Sequence, residues 1–239
     1  MRPIYKPKGR AGEYGDYAIN IYTGCTHGCT YCYARDMAKR FGTADGWKDV
    51  KPREGIVEAV KEQLTGMKGQ GKLIHLCFTC DPYPADVDTT PTRQIIRAIK
   101  ESGNHVQILT KSGARAIRDF DLLDENDWFG VTITGADKSM EPNADRAEDN
   151  FIELVKAHHM EIKTWVSFEP VIAPKAVLKW IEQTYFADKI KIGKLNHRKS
   201  DMDWKAFGED CEALCRRLNL NYYIKDDLRK EMEKNNETD

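Results

Sequence analysis

Residues 73–110, LIHLCFTCDPYPADVDTTPTRQIIRAIKESGNHVQILT, decide the architecture of this chain. Apolar runs at 73–79 and 106–110 bracket a segment in which Ile95, Ile96 and Ile99 mark one face of a helix. Thr90-Pro91 supplies an N-cap and a proline at the first helical position. Strand, helix and strand, joined by a crossover of this length, form a parallel unit rather than a hairpin.

The same rhythm extends in both directions. Further strands are expected at 18–23, 129–134, 162–168 and 189–192, rich in Ile, Val, Phe and Thr as buried strands are. Helical stripes fall between them: Ile56, Val60 and Leu64; Phe151, Leu154, Val155 and His158; Val177, Leu178 and Ile181, entered through Pro174. A last helix over about 203–218 leads into Tyr222-Tyr223-Ile224. Six strand–helix units in series predict an α/β fold, a full or partial (β/α)6 TIM-like barrel. No Gly/Ser linker or low-complexity tract interrupts it, so residues 18–239 read as a single domain and residues 1–17 as an N-terminal arm. Chemistry in such barrels gathers at the C-terminal ends of the strands.

The 239 residues are 41% hydrophobic and 31% charged, enough apolar material for a sizeable core. No apolar run long enough to span a membrane is present, and the start lacks the apolar stretch of a secretory signal. A cytoplasmic, reducing location with no membrane partner is expected, where clustered cysteines read as metal ligands or catalytic thiols rather than disulfides. The net charge of −1 argues against a strong nonspecific grip on nucleic acid, although Arg2, Lys6, Lys8 and Arg10 make the arm locally basic.

Residues 24–33, GCTHGCTYCY, place Cys25, Cys29 and Cys32 just past the first strand, at the barrel mouth. Two metal readings compete. With His27 the thiols make a Cys3His zinc set, although structural zinc usually draws two ligand pairs from separate segments. Alternatively, three thiolates hold an iron–sulfur cubane and leave one iron without a protein ligand, the open position that marks a catalytic metal. The C-x2-C-x2-C-x3-C spacing of bacterial ferredoxins is absent.

The C-x3-C-x2-C pattern, with aromatic Tyr31 before the third cysteine, resembles the signature of the radical SAM superfamily. "TGCTHGCTYCYA", "FTCDPY", "ILTKSG" and "VTIT" fall in the order and spacing of its spore photoproduct lyase-like branch, so that by motif the likeness covers residues 18–134. The resemblance implies a 4Fe-4S cluster on Cys25, Cys29 and Cys32 and S-adenosylmethionine chelated by its open iron. It also implies an external one-electron donor such as flavodoxin or ferredoxin. Reductive cleavage of the cofactor would give methionine and a 5′-deoxyadenosyl radical that takes hydrogen from a substrate. By the same resemblance Tyr31 lies near the adenine, Lys111 pairs with the cofactor carboxylate, and Thr132 and Asp81 contact the cofactor. Tyr33 matches a second tyrosine of the lyase's active site.

The chain departs from the lyases where they carry a hydrogen-donating cysteine: Phe78 fills that place. Cys77 is expected to face the other way by strand alternation and to pack in the core. Cys80, on the face of Phe78, is either a hydrogen-atom donor or a small residue beside the cofactor. Glu169 in "SFEPVI", Asn196-His197 and Lys225 end or follow strands and read as substrate or cofactor contacts, or as loop tethers. Cys211 and Cys215, at i and i+4, read as core packing. Three functions remain open: a radical enzyme acting on a nucleobase, nucleotide or nucleic acid; a radical isomerase or carbon-skeleton modifying enzyme acting on a small metabolite or hypermodified base; and a zinc-stabilised binding module.

Overall fold

The computed structural model describes residues 2–196 and 198–234. Strands run at Tyr17–Ile19 (β1), Tyr22–Thr23 (β2), Lys51–Pro52 (β3), Leu73–Leu76 (β4), His105–Thr110 (β5), Trp128–Thr132 (β6), Lys163–Phe168 (β7), Lys189–Ile192 (β8) and Tyr222–Ile224 (β9). Helices span Tyr33–Arg40 (α1), Ile56–Thr65 (α2), Thr90–Glu101 (α3), Gly113–Ala116 (α4), Ala147–His159 (α5), Pro174–Gln183 (α6), Trp204–Arg217 (α7) and Asp226–Met232 (α8).

One seven-stranded sheet has the order β1-β4-β5-β6-β7-β8-β9, with every pair parallel. Because spatial order follows chain order, the helical crossovers wind the sheet in one direction, as a barrel requires and a doubly wound sheet does not. No pairing joins β9 to β1 among the described residues, so the expected closure into a barrel is not shown. The expectation of six strands is corrected to seven: β9 has only three residues, too few to show a period of its own. No described helix is long and apolar enough to cross a membrane.

Two strand expectations change for local reasons. The run 18–23 splits into β1 and β2, and β2 leaves the sheet to pair antiparallel with β3. Between them Asn20 turns its Oδ1 to accept the backbone N–H groups of Phe78 and Thr79 at 2.8 and 2.9 Å. The run 73–79 stops at Leu76 because Cys77 takes a left-handed backbone, φ +69°. That turn ends strand alternation at Cys77, which is nonetheless buried in the core. Cys211 and Cys215 are buried in the same core.

One face of the sheet is filled with rings. Trp165 lies across Gly130 on the neighbouring strand, where an added Cβ would stand 2.2 Å from its Nε1, and that N–H donates to the Ile108 carbonyl at 3.0 Å. His75 stacks on Phe78 with centroids 4.4 Å apart, and Tyr14 meets both. Tyr14 comes from the N-terminal segment read as an arm, which lies against the core. Ile4 is buried, with both backbone polar groups bonded to the Gln63 amide, and Tyr5 bridges to Ala18.

Candidate functional site

The loop 24–32 leaves β2 at the C-terminal end of the sheet and enters α1. Gly24 starts it at φ +76°, where a Cβ would sit 2.1 Å from the Trp47 carbonyl oxygen, so only glycine fits. The loop is tied down along its length: Cys25 N–H donates to Trp47 O, Thr30 N–H to Met140 O, and the Asn143 backbone and amide N–H to the His27 and Thr26 carbonyls. Cys29 is buried and Cys25 and Cys32 are half-buried, all three free. Burial pushes the Cys29 thiol up to about 11 and Cys25 higher still, a preference that a bound cation reverses by favouring thiolate.

His27 separates the two metal readings. Its ring is buried, with Nε2 2.9 Å from Ser112 Oγ and Nδ1 3.5 Å from Asp81 Oδ2. A zinc ion with Zn–S bonds near 2.3 Å needs its ligand atoms within roughly 4 Å of one another. Among the described residues only His105, Asp124 and Asp127 gather three potential ligand atoms within 4.8 Å. Lys100 pairs with both of those aspartates. The Cys3His tetrahedron is therefore not assembled. Three thiols on one loop, not gathered within 4.8 Å and with no fourth ligand among the described residues, fit a cluster of several irons.

Lys111 follows β5. Its ammonium is 2.9 Å from Glu141 Oε1 and 5.6 Å from the Tyr31 ring centroid, within the electrostatic field of all three cysteines. Glu141 Oε1 also accepts from the Tyr31 hydroxyl and from Thr134 Oγ1 at 2.8 Å. Burial pushes the Glu141 carboxyl up to about 8 and pulls the Lys111 ammonium down, so both members of the pair are drawn toward neutrality. Thr132, Thr134 and Glu141 line a cavity of about 420 Å³ that continues past Lys138 and Arg146, within the range of small-molecule sites. Thr134, rather than Thr132, touches the Lys111–Glu141 pair.

Asp81 is fully engaged. Oδ1 accepts from Tyr83 N–H at 2.8 Å and Thr110 Oγ1 at 2.7 Å, and Oδ2 from Lys111 N–H at 2.9 Å with His27 behind it. It braces the cysteine loop against the strand end that carries Lys111. Tyr33, first residue of α1, is half-exposed and donates its hydroxyl to the Phe78 carbonyl. Cys80 is half-buried and lies next to Cys77, whose thiol burial pushes up, with the hydrogen bond that Cys77 donates to Cys80 adding to the shift.

The opposite side of the mouth holds Glu169, just past β7. Its Oε2 accepts from Tyr14 Oη at 2.7 Å and Lys225 Nζ at 2.8 Å. Lys225 also reaches Glu13 at 3.2 Å, and Gly193 leaves the pair its room, since a Cβ there would fall 2.9 Å from Glu169 Cδ. Beneath, Lys191 is buried 4.0 Å from the Tyr14 ring centroid, and desolvation brings its ammonium down to about 7. Asn196 stays in its own loop, its amide donating to the Lys194 carbonyl at 3.3 Å; His197 lies outside the described residues.

Sequence reasoning missed Glu141, Tyr14 and Lys191. Only Lys191 left a signal, since the alternation of 189–192, KIKI, puts two lysines on one strand face.

The sequence profile of a family described as "Protein of unknown function (DUF5131)" matches residues 11–231. An uncharacterised protein of Methanocaldococcus jannaschii is 32% identical over 165 residues, 65% of this chain, which spans 60% of that protein's length. An uncharacterised protein of Acidianus two-tailed virus is 28% identical over 206 residues, 76% of this chain and 67% of its own. Among solved structures, spore photoproduct lyase complexed with dinucleoside spore photoproduct superposes with a TM-score of 0.72 at 12% identity, over 94% of this chain and 79% of that one. Streptococcus suis SuiB bound to S-adenosylmethionine gives 0.64 at 9% identity, over 87% of this chain and 49% of that one. At these identities the structural likenesses establish a shared fold.

Proposed function

The chain belongs to the DUF5131 family, and from that premise and the geometry of the mouth we propose that it is a radical S-adenosylmethionine enzyme. One observation carries the reading. Three loop thiols, with no fourth ligand among the described residues, lie in the field of a half-buried ammonium, Lys111, at the C-terminal end of a parallel sheet. Cys25, Cys29 and Cys32 would hold a 4Fe-4S cluster, and Lys111, Tyr31 and Thr132 would hold S-adenosylmethionine. When bound, these groups supply one-electron cleavage of the sulfonium and a 5′-deoxyadenosyl radical.

The protein's own residues do the rest. Lys111 neutralises the cofactor carboxylate; a charge-assisted hydrogen bond of this kind contributes about 1.5–3 kcal/mol. Asp81 fixes the Lys111 backbone and the His27 turn of the cysteine loop in one frame. Glu141 holds the Lys111 ammonium and the Tyr31 ring together. Across the mouth Glu169, steadied by Lys225 and Tyr14, offers a partly exposed carboxylate to a substrate N–H or O–H. Tyr33 and Cys80 border the same space. The substrate is a nucleobase, nucleotide or nucleic acid. The fold shared with a lyase complexed with a dinucleoside supports this, and a flipped or unpaired base suits the compact mouth. A one-electron donor such as flavodoxin or ferredoxin completes the reaction.

The test is metal and sulfide analysis of protein purified without oxygen, followed by dithionite and S-adenosylmethionine. About four irons per chain and formation of 5′-deoxyadenosine are expected. A colourless protein with one zinc and no iron would overturn the reading.

A further inference from the structure

The mouth does not end at its rim. Of the large apolar side chains that the described residues leave exposed, Tyr5, Tyr33, Met37 and Phe41 gather on one side. Tyr33, Met37 and Phe41 stand at i, i+4 and i+8, one face of α1 and the turn after it, and Phe41 is 71% exposed. Tyr5 joins them at the rim: its hydroxyl accepts from the Asn20 amide, whose oxygen holds the N–H groups of Phe78 and Thr79, and Tyr33 donates to the carbonyl of the same Phe78. The stripe thus begins at the candidate site and leads away from it.

Its surroundings are cationic. Residues 1–53 hold ten Lys and Arg against five Asp and Glu, a net of +5 in a chain whose total is −1. Arg40 shares the stripe's face at i+3 from Met37, and Lys39, Arg40 and Lys48 have no ion pair among the described residues. Arg35 and Arg53 each bury an Nε–H with no hydrogen-bond partner. Exposed rings in a row with unpaired cations beside them match single-stranded nucleic acid, whose bases stack on aromatic faces while phosphates seek positive charge.

We propose that the face running from Tyr5 and Tyr33 along α1 to Phe41 is a docking surface for single-stranded nucleic acid, with Arg35, Arg40 and Arg53 on its phosphates. The proposal rests on the nucleobase reading of the mouth and adds to it: the substrate is a base within a strand rather than a free nucleotide, and the strand leaves the mouth over α1.

Fluorescence anisotropy tests this on the full chain, using fluorescein-labelled oligothymidylate and oligouridylate of about 15 nucleotides and a duplex of equal length. Single strands should bind more tightly than the duplex, and the two sugars separate a DNA from an RNA substrate. Phe41→Ala should weaken strand binding about tenfold. Arg40→Gln should lower the slope of log affinity against log salt by about 0.7. Tyr185→Ala, an exposed ring elsewhere, should change neither, and unchanged melting curves exclude misfolding. No strand binding at low salt, or binding indifferent to Phe41→Ala, overturns the proposal. So does a Phe41→Ala effect confined to cluster reduction by flavodoxin, which would assign the face to an electron donor. Iron analysis of the same samples keeps the two readings apart. Strand binding by iron-free protein supports the surface while removing the radical chemistry, and 5′-deoxyadenosine formation without strand binding does the reverse.

Discussion

Lys111, half-buried, and Lys225, buried, stand on opposite sides of the mouth, and their company differs. The Lys111 ammonium shares the Glu141 carboxylate with Tyr31 and Thr134, and the other charges around it belong to Asp81 and the three thiols. Lys225 lies between two carboxylates, Glu13 and Glu169, with the Tyr14 ring 4.5 Å from its ammonium. The first arrangement keeps a cation where soft ligands and an incoming carboxylate can use it. The second closes the gap between the last strand and the N-terminal segment and steadies Glu169. A lysine at the mouth is therefore read from its partners, not from its burial alone.

Substitutions should separate the two sides. Cys29→Ala gives the largest effect: iron content falls from about four per chain to near zero, and no 5′-deoxyadenosine forms. Lys225→Met strands two carboxylates in a region where their partner is buried, and should cost about 3–5 kcal/mol in urea denaturation while leaving cluster loading intact. A loss of iron in that variant would merge the two regions into one site. Lys111→Ala should retain the cluster and weaken S-adenosylmethionine binding roughly ten- to a hundredfold by calorimetry. Unchanged affinity would reassign Lys111 to the structural class of Lys225.

The smallest effect concerns the floor between them. His75 is buried, and desolvation drives its ring down to about 3, whereas the unfolded chain protonates it near 6.5. Below about 6.5 the unfolded state binds the extra proton, so stability is present at neutral pH and falls as pH drops toward 3. Between pH 6.5 and 5 this amounts to about 2 kcal/mol. His75→Leu should flatten that slope in denaturation curves taken across the range.

The legible parts of the molecule were those encoded locally. The cysteine spacing, the Thr90-Pro91 helix start and Lys111 after its strand are each written within a few residues, and the parallel order follows from crossover length. Glu141 carries no such mark: it sits in an irregular loop and meets Lys111 only because 140–143 folds over the cysteine loop. Tyr14 reads as part of a basic tail until a gap in the barrel takes it in. Cys77 shows the limit of pattern reasoning, since one left-handed residue ends the alternation on which its facing was argued. His27 was a plausible zinc ligand by spacing, and only its bonds to Ser112 and Asp81 reveal a brace.

The most direct measurement is electron paramagnetic resonance of anaerobic, dithionite-reduced protein, recorded before and after S-adenosylmethionine is added. An iron atom left open by three thiolates should give a reduced-cubane signal whose g-values move when the cofactor arrives. A spectrum indifferent to the cofactor, or none because the loop holds a redox-silent ion, would contradict the account.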